Sequence, residues 1–158
     1  MPDVVIVTNP LAYIYRGVPG VGDAYAELLG ELGGSGNLLI PRIVYGELSL
    51  VFEGTQALDA FIADTGIVVE AASAEAHAVA AQRWQAYNRR RILMCARCGE
   101  KIGTLRCGAC NATIHIRQHI LSDFLIGAFA LQAPGACLVT HDRGYFSTYF
   151  PELKIISV

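Results

Sequence analysis

The chain of 158 residues carries a net charge of −2, and 53% of its residues are hydrophobic, which suits one ordinary domain with a sizeable core. It has no apolar run of about eighteen residues, so no membrane span is predicted, and its start lacks the basic segment of a signal peptide. We therefore expect a cytoplasmic protein without membrane contact.

Apolar runs and helix signals alternate along the chain. Strands are predicted at residues 3–8, 38–40, 66–70, 136–140 and 154–158. Helices are predicted at residues 11–15, 23–32, 41–52, 55–64, 73–91, 120–131 and 145–150. The first strand is almost entirely β-branched, which is typical of a strand buried on both faces. This alternation predicts an α/β fold with a mostly parallel sheet.

The longest predicted helix, residues 73–91, begins at a capping residue and carries an apolar face. Ser73 is a residue type that caps helix starts. The apolar face is formed at helical spacing by Ala76, Ala80, Trp84 and Tyr87.

Residues 92–115 interrupt the alternation, and we interpret them as an insertion within a single domain of residues 1–158. They have the spacing Cys-x2-Cys-x8-Cys-x2-Cys, formed by Cys95, Cys98, Cys107 and Cys110. Two tight turns that face each other can close a tetrahedral shell of four thiolates around zinc. An all-cysteine shell has no open position, so the spacing predicts a structural zinc ribbon. Two disulfides or four free thiols are the alternatives.

The turns of this ribbon need backbone freedom, which Gly99 and Gly108 are expected to supply. The x8 spacer between the cysteine pairs has a suitable length for a short β-hairpin. The fifth cysteine, Cys137, lies in an apolar run and is expected to be a core residue.

Positive charge is concentrated in one part of the chain. Residues 83–119 contain eight basic residues and the single acid Glu100, a formal charge of +7 that leaves −9 for the remainder. Such a segment in an acidic protein suggests contact with a polyanion. We therefore predict that Arg89, Arg90 and Arg91 contact RNA; the alternative is a solvated helix end, where positive charge is favoured anyway.

Three acids lie next to or within apolar runs, where an isolated carboxylate is costly to bury. They are Glu47, Asp123 and Asp142. Convergence on one Mg²⁺ or Mn²⁺ ion would offset this cost. Asp142 follows a predicted strand, and parallel sheets gather their sites at the carboxyl ends of strands. Individually, Asp123 also suits a helix start and Asp142 a turn.

Four segments resemble the motifs of PIN-domain ribonucleases. They read VVIVTNPL at residues 4–11, IVYGE at 43–47, ILSDFLIGAFA at 120–130 and LVTHDRGYF at 138–146. The tail, residues 149–156, looks like the toxin ribonucleases of VapBC toxin–antitoxin pairs. The similarity covers the chain except for about residues 92–115, and its last third is the most specific part.

The resemblance implies a five-stranded parallel sheet, a Mg²⁺ or Mn²⁺ site and endonucleolytic cleavage of RNA. It also implies a homodimer and a small antitoxin protein as partner. Under this hypothesis Glu47, Asp123 and Asp142 are metal ligands, and Thr140 positions a ligand or the attacking water. Arg143 is expected to contact a phosphate.

One position departs from the family pattern. Such proteins end the first strand with an acid, and aligning Pro10 and Leu11 places Val7 at that point. Asp3 is about 13 Å away along the strand and cannot substitute, and Asn9 comes two residues late. Either Val7 is a change that inactivates this chain, or the natural protein has a weakened metal site or uses fewer ligands.

Two other functions fit the same residues. The first is a non-catalytic, zinc-containing module that binds RNA or a protein. The second is a ribosomal-RNA-maturing PIN nuclease, although in those proteins the ribbon follows the domain instead of interrupting it. An α/β domain with a zinc staple and no activity is the remaining interpretation.

Overall fold

The computed structural model of the protein describes residues 2–89, 93–95, 97–114, 120–142 and 144–158. In chain order the elements are β1 (Asp3–Ile6), α1 (Thr8–Tyr15), α2 (Val21–Gly33), β2 (Asn37–Pro41), α3 (Arg42–Leu48), α4 (Thr55–Thr65), β3 (Val68–Glu70), α5 (Ala74–Arg89), β4 (Leu93–Met94), β5 (Lys101–Ile102), α6 (Leu121–Gln132), β6 (Cys137–Val139), α7 (Tyr145–Tyr149) and β7 (Lys154–Ile156).

Five of these strands form one sheet in the order β3-β2-β1-β6-β7. Every neighbouring pair in the sheet is parallel, and Val5 of β1 pairs with Leu39 of β2 on one side and Leu138 of β6 on the other. All three of these residues are buried, as expected for a strand covered on both faces. The α/β fold with a five-stranded parallel sheet is therefore confirmed.

Two helix boundaries differ from the sequence prediction. Helix α1 begins at Thr8 instead of residue 11, because Pro10 falls in the first turn, where its missing N–H is tolerated. Helix α3 ends at Leu48 instead of continuing to residue 52. There Phe52 turns inward and its ring stacks on Tyr15 with centroids 3.6 Å apart.

The long helix α5 has the predicted cap and face. The Ser73 hydroxyl accepts the N–H of Ala76 at 3.0 Å. Ala76, Ala80 and Tyr87 are buried, and α5 packs along α6. Although α5 is 16 residues long, none of the helices in the described ranges has the length and apolar character needed to cross a membrane.

Candidate functional site

The three predicted acids are placed by elements that meet at one edge of the sheet. Glu47 lies in α3, which starts directly after the carboxyl end of β2, and Asp142 follows the carboxyl end of β6. Asp123 lies in the first turn of α6, and α6 contacts α3. The fold thus brings together acids that are up to 95 positions apart in the chain.

Glu47 is half-buried, and polar neighbours hold its carboxylate. The hydroxyl of Thr8, the first residue of α1, donates a hydrogen bond to Glu47 Oε2. The pKa of Glu47 is raised, mainly by burial of its carboxylate. The hydroxyls of Thr8 and Ser122 act in the opposite direction, whereas the charge of Asp123 raises the pKa further. Glu47 and Asp123 are therefore electrostatic neighbours, which is the arrangement that a shared cation would stabilise.

Thr140 orients Asp142 through the backbone. Thr140 is 1% exposed, and its Oγ1 accepts the N–H of Asp142 at 3.1 Å. Asp142 Oδ2 in turn accepts the N–H of Phe146 in the first turn of α7 at 3.2 Å. This hydrogen bond fixes one oxygen of the carboxylate at the helix start.

Asp123 has a similar local bond. Its Oδ2 accepts the N–H of Ile120 at 2.9 Å, next to the start of α6. The structural alternatives for these acids, a helix start for Asp123 and a turn for Asp142, are thus present in the molecule. Both alternatives are compatible with a metal site, because each of these bonds uses only one carboxylate oxygen.

The hydroxyl of Tyr145 is affected by the charges of both Asp123 and Asp142. Tyr145 is buried, and its ring meets Phe124, the neighbour of Asp123, edge-on at 5.5 Å between centroids. Burial raises the pKa of Tyr145, and the charges of Asp123 and Asp142 raise it further. The tyrosine therefore lies within electrostatic reach of both carboxylates. No pattern in the sequence had indicated Tyr145.

Val7 occupies the end of β1, beside the acids. It is 5% exposed, and its N–H continues the pairing of β1 with β6 by donating to the carbonyl of Val139 at 3.1 Å. Thr8, the next residue, reaches Glu47. Position 7 thus adjoins the acid site, and a valine there contributes no ligand oxygen.

The donor chemistry of the three acids fits a hard cation, since carboxylate oxygens suit Mg²⁺ and Mn²⁺. The positions of the side chains, in contrast to their chemistry, do not form a complete metal site among the described residues. Within the described ranges no three side chains of His, Cys, Asp or Glu lie together closely enough to hold a metal ion. Glu47 instead bonds Thr8.

The cysteine segment forms two small hairpins between α5 and α6. In the first, Leu93 pairs with Ile102 and Met94 with Lys101. In the second, Arg106 bridges Thr113. Each hairpin has one cysteine pair at its tip, so the prediction of a single hairpin between the pairs is wrong. The x8 spacer instead gives one strand to each hairpin.

The first tip is a tight turn closed by two backbone hydrogen bonds. The N–H of Cys95 donates to the carbonyl of Glu100 at 2.7 Å, and the N–H of Gly99 donates to the carbonyl of Cys95 at 2.8 Å. Gly99 has a φ of 74°, which glycine adopts at little cost.

The second tip repeats this pattern in full. The N–H of Cys107 donates to the carbonyl of Ala112 and the N–H of Asn111 to the carbonyl of Cys107, each at 2.9 Å. Asn111 takes the position of Gly99, with a φ of 57°. The residue with positive φ in this turn is therefore Asn111 and not Gly108; asparagine tolerates that conformation better than most residues.

The first cysteine of each pair has the lowered thiol pKa expected of a zinc ligand, but the two pairs are not assembled into one site among the described residues. Backbone N–H groups, with that of the second cysteine contributing most, lower the pKa of Cys95 and of Cys107. The lowered pKa favours the thiolate of Cys95 and of Cys107, the form that binds zinc. All five cysteines are free thiols, and the two pairs do not come together as one group of ligands among the described residues.

The predicted RNA-binding arginines are described only in part. Arg89 is exposed at the end of α5, whereas Arg90, Arg91 and Arg143 lie outside the described residues. Arg106 donates to the carbonyl of Asn111 at 3.1 Å, so it also supports the second hairpin tip.

Comparison with solved structures supports the fold. The chain is similar to a chain of the crystal structure of VapBC2 from Rickettsia felis bound to a DNA fragment from their promoter, with a TM-score of 0.62 and 19% identity over 98% of this chain and 97% of that one. No family model matches the sequence. No curated protein matches it either. The five-stranded sheet is therefore that of a PIN-like fold.

Proposed function

We propose that the protein is a metal-dependent endoribonuclease of the VapC toxin type, weakened by Val7. The observation that carries the proposal is the electrostatic proximity of Glu47 to Asp123, and of both Asp123 and Asp142 to Tyr145, on elements at the carboxyl edge of a PIN-like sheet. The resemblance of the sequence motifs and the similarity of the fold support the same function. A buried acid beside a second acid is also a common mark of a functional site.

In this proposal Glu47, Asp123 and Asp142 would hold Mg²⁺ or Mn²⁺, and the chemistry that the bound ion would supply is a water of lowered pKa for attack on phosphorus. The protein residues prepare the site. Thr140 fixes the backbone of Asp142, and Thr8 restrains Glu47. The sheet edge then presents the carboxylates to one face of a bound RNA strand.

The test is cleavage of single-stranded RNA with and without Mn²⁺, comparing Glu47→Gln with Glu53→Gln. Glu47 has no helix-capping role, so its replacement spares the fold better than changing either aspartate. We expect Glu47→Gln to lose activity by about a hundredfold or more, the scale for one electrostatic group in a catalytic centre. Glu53 is exposed, and its replacement should leave activity unchanged. Equal activities would refute the proposed site.

We further propose that Cys95, Cys98, Cys107 and Cys110 bind one structural zinc ion. The support is the matched backbone of the two hairpin tips and the lowered pKa of Cys95 and of Cys107, which backbone N–H groups cause. Metal binding would then bring the pairs together and supply folding free energy to hairpins that have few apolar contacts. Residues 92–115 would form a zinc ribbon inserted in one PIN-like domain of residues 1–158.

Elemental analysis tests the zinc proposal. We expect about one zinc per chain, its loss in Cys98→Ser, and its retention in Cys137→Ala, which changes the buried cysteine outside the hairpins. Far-ultraviolet circular dichroism of Cys98→Ser should show a folded sheet. A metal-free protein with four titratable thiols in the hairpins would disprove zinc binding.

The partners of the protein are also proposals. RNA would contact Arg89, Arg90, Arg91 and Arg143, and the toxin type implies a homodimer with a small antitoxin protein. Light scattering of the purified chain, alone and co-expressed with the small protein encoded beside it, measures both assemblies. A cytoplasmic location remains a prediction.

A second candidate function is a non-catalytic module that binds RNA or a protein, and the buried Val7 favours it. Such a module should bind RNA equally well with and without a divalent ion. The third interpretation, a ribosomal-RNA-maturing nuclease, predicts cleavage of ribosomal precursor RNA by the isolated chain.

A further inference from the structure

His141 lies directly after Thr140 at the edge of the sheet that carries the acids, and the proposed catalysis gives it no role. The residue is half-buried. Its ring packs edge-on against Tyr13 of α1, with centroids 5.3 Å apart and an interplanar angle of 86°. Its Nδ1 lies 3.0 Å from the hydroxyl oxygen of Tyr25 in α2. Two helices therefore hold the imidazole in a defined orientation.

The hydrogen bonds of Tyr25 determine which nitrogen of His141 carries the proton. The hydroxyl of Tyr25 has one proton and donates it to the carbonyl of Thr140 at 3.1 Å. Thr140 is 1% exposed, and this carbonyl has no other donor within the described residues. Redirecting the proton to His141 would therefore leave a buried acceptor unsatisfied, which is unfavourable.

Because the Tyr25 hydroxyl donates its proton to the carbonyl of Thr140, it can interact with His141 only as the acceptor of a hydrogen bond. Nδ1 therefore carries the hydrogen in the neutral ring, and Nε2 carries the lone pair. No side chain or backbone group in the described ranges donates to Nε2. The hydrogen-bond network thus leaves Nε2 as an acceptor on a half-buried ring, in the residue next to Asp142.

We propose that Nε2 of His141 accepts a hydrogen bond from a ribose 2′-hydroxyl, which makes His141 a specificity-determining residue for RNA over DNA. The proposal rests on the proposed function, in which an RNA strand crosses the carboxyl edge of the sheet. Phosphate oxygens have no proton to give to Nε2, whereas the 2′-hydroxyl does, and DNA lacks it.

The experiment measures binding of a labelled single-stranded RNA, and of DNA with the same sequence, by fluorescence anisotropy at pH 8 without divalent ions. Two amide variants separate the ring nitrogens. His141→Asn places an N–H near Nδ1 and can keep the bond to Tyr25, but it has no atom at Nε2. His141→Gln reaches the position of Nε2 with an amide oxygen and so keeps an acceptor there.

We expect the unmodified protein to bind RNA about fivefold to tenfold more tightly than DNA, the size of one hydrogen bond. His141→Asn should lose this preference by weakening RNA binding alone, and His141→Gln should retain it. A second measurement needs no variant: replacing the 2′-hydroxyls of the RNA one at a time by hydrogen should abolish the preference at one position.

Each result has a definite meaning. If His141→Asn keeps the preference for RNA, or if no single 2′-hydroxyl matters, the inference is wrong while the proposed ribonuclease stands. If both amide variants lose the preference, the ring acts by packing and the acceptor role is refuted. If the unmodified protein neither binds nor cleaves RNA, the proposed function fails together with the inference.

Discussion

Val7 and Thr8 are neighbours at the end of β1, yet only Thr8 gives a polar atom to the acid site. Its hydroxyl bonds Glu47, whereas the side chain of Val7 is buried among apolar neighbours. A carboxylate at position 7 would add a ligand oxygen next to a residue that already contacts the acids. In the proposed metal site the valine would therefore limit the charge available to balance a second divalent ion, which two-metal hydrolysis requires.

We expect Val7→Asp to increase Mn²⁺-dependent cleavage of RNA and the stabilisation that Mn²⁺ gives. Without metal the variant should be less stable, because burying an additional charge beside Glu47 is unfavourable. Added Mn²⁺ should restore the stability by binding only the folded state. Cleavage rates and melting temperatures are measured across a series of Mn²⁺ concentrations.

Val7→Asn is the matched control, since it has nearly the same size as the aspartate but no charge. It should not gain the metal-dependent stability. If the aspartate variant behaves like the asparagine variant in both assays, position 7 is not part of the metal site.

At the scale of single residues, the sequence pointed to three acids and to Thr140, but not to Thr8 or Tyr145. Glu47, Asp123 and Asp142 stand out because charge beside apolar runs is costly. Thr8 and Tyr145 carry no such signal, since hydroxyl residues are common in every environment. The bond between Thr8 and Glu47 spans 39 positions, so no local pattern contains it.

The two cysteine hairpins show how an element can repeat its geometry with different residues. Gly99 and Asn111 occupy the same left-handed position in the two tips. The sequence suggested that Gly108 gives this turn its backbone freedom, but the residue four positions after Cys107, which corresponds to Gly99 after Cys95, is Asn111. Counting from the first cysteine of each pair would have found the equivalence.

Because Asn111 and Gly99 occupy equivalent positions in the two tips, two substitutions of Asn111 should have different effects on zinc binding. Asn111→Gly should leave zinc affinity unchanged, because glycine adopts the left-handed conformation freely. Asn111→Val should weaken zinc binding, since a β-branched residue is strained at a φ of 57°. Competition with a zinc-binding dye measures both affinities. Equal affinities would show that the second tip does not need this conformation to bind zinc.

An ion pair between Arg83 and Glu152 connects α5 to the segment before β7. Arg83 forms two bonds to the carboxylate of Glu152, at 2.6 and 3.0 Å, and one to the carbonyl of Tyr149 at 2.7 Å. Its guanidinium also lies 4.7 Å from the ring centroid of Phe150. The hydrogen bond from Arg83, with a smaller effect from the backbone N–H of Glu152, lowers the pKa of Glu152 to about 2.

The lowered pKa of Glu152 makes stability depend on acid pH. Its contribution is fully present above the ordinary carboxyl pKa of 4.5 and is lost as the pH falls towards 2. Because the Glu152 side chain is 53% exposed, solvent screening keeps the contribution below about 1 kcal/mol. Urea unfolding should therefore show a shallower loss of stability between pH 5 and pH 2 in Glu152→Gln.

Glu31→Gln provides the control for this pH dependence. Glu31 is exposed on α2, and removing its carboxylate should leave the acid profile of the protein unchanged. Identical profiles for the two variants would mean that the ion pair with Arg83 contributes nothing measurable in solution.

At the scale of the whole molecule, the charge is divided between an acidic remainder and the basic residues 83–119. Arg89 is the last residue of α5, and Arg90 and Arg91 come next in the sequence, before the cysteine segment. Phosphate contacts release counterions, and each contact contributes about 0.7–0.9 to the salt dependence of RNA binding.

We expect the triple change of Arg89, Arg90 and Arg91 to Gln to weaken binding to every RNA sequence and to reduce the salt slope by up to about two to three units. Changing Arg16 and Lys154 to Gln, two exposed positions outside this segment, should leave the slope unchanged. Titrations of labelled RNA at several salt concentrations measure it. An unaltered slope in the triple variant would identify these arginines as a solvated helix end.

The overall fold could be predicted well because its signals are local. Each strand of the parallel sheet is a short apolar run, and the face of α5 repeats at helical spacing. The ion pair of Arg83 with Glu152 and the contact of Tyr25 with His141 span 69 and 116 positions. Such contacts depend on how the elements assemble, which patterns within a window of residues do not contain.

The strand order has a consequence for how the chain folds during synthesis. β1 occupies the middle of the sheet, but its partner β6 begins only at Cys137. Until the residues of β6 have left the ribosome, β1 can pair with β2 alone, and its other edge keeps unpaired backbone N–H and C=O groups. Open strand edges promote aggregation. A nascent chain on a ribosome stalled before β6 emerges would therefore expose such an edge at the centre of its future sheet.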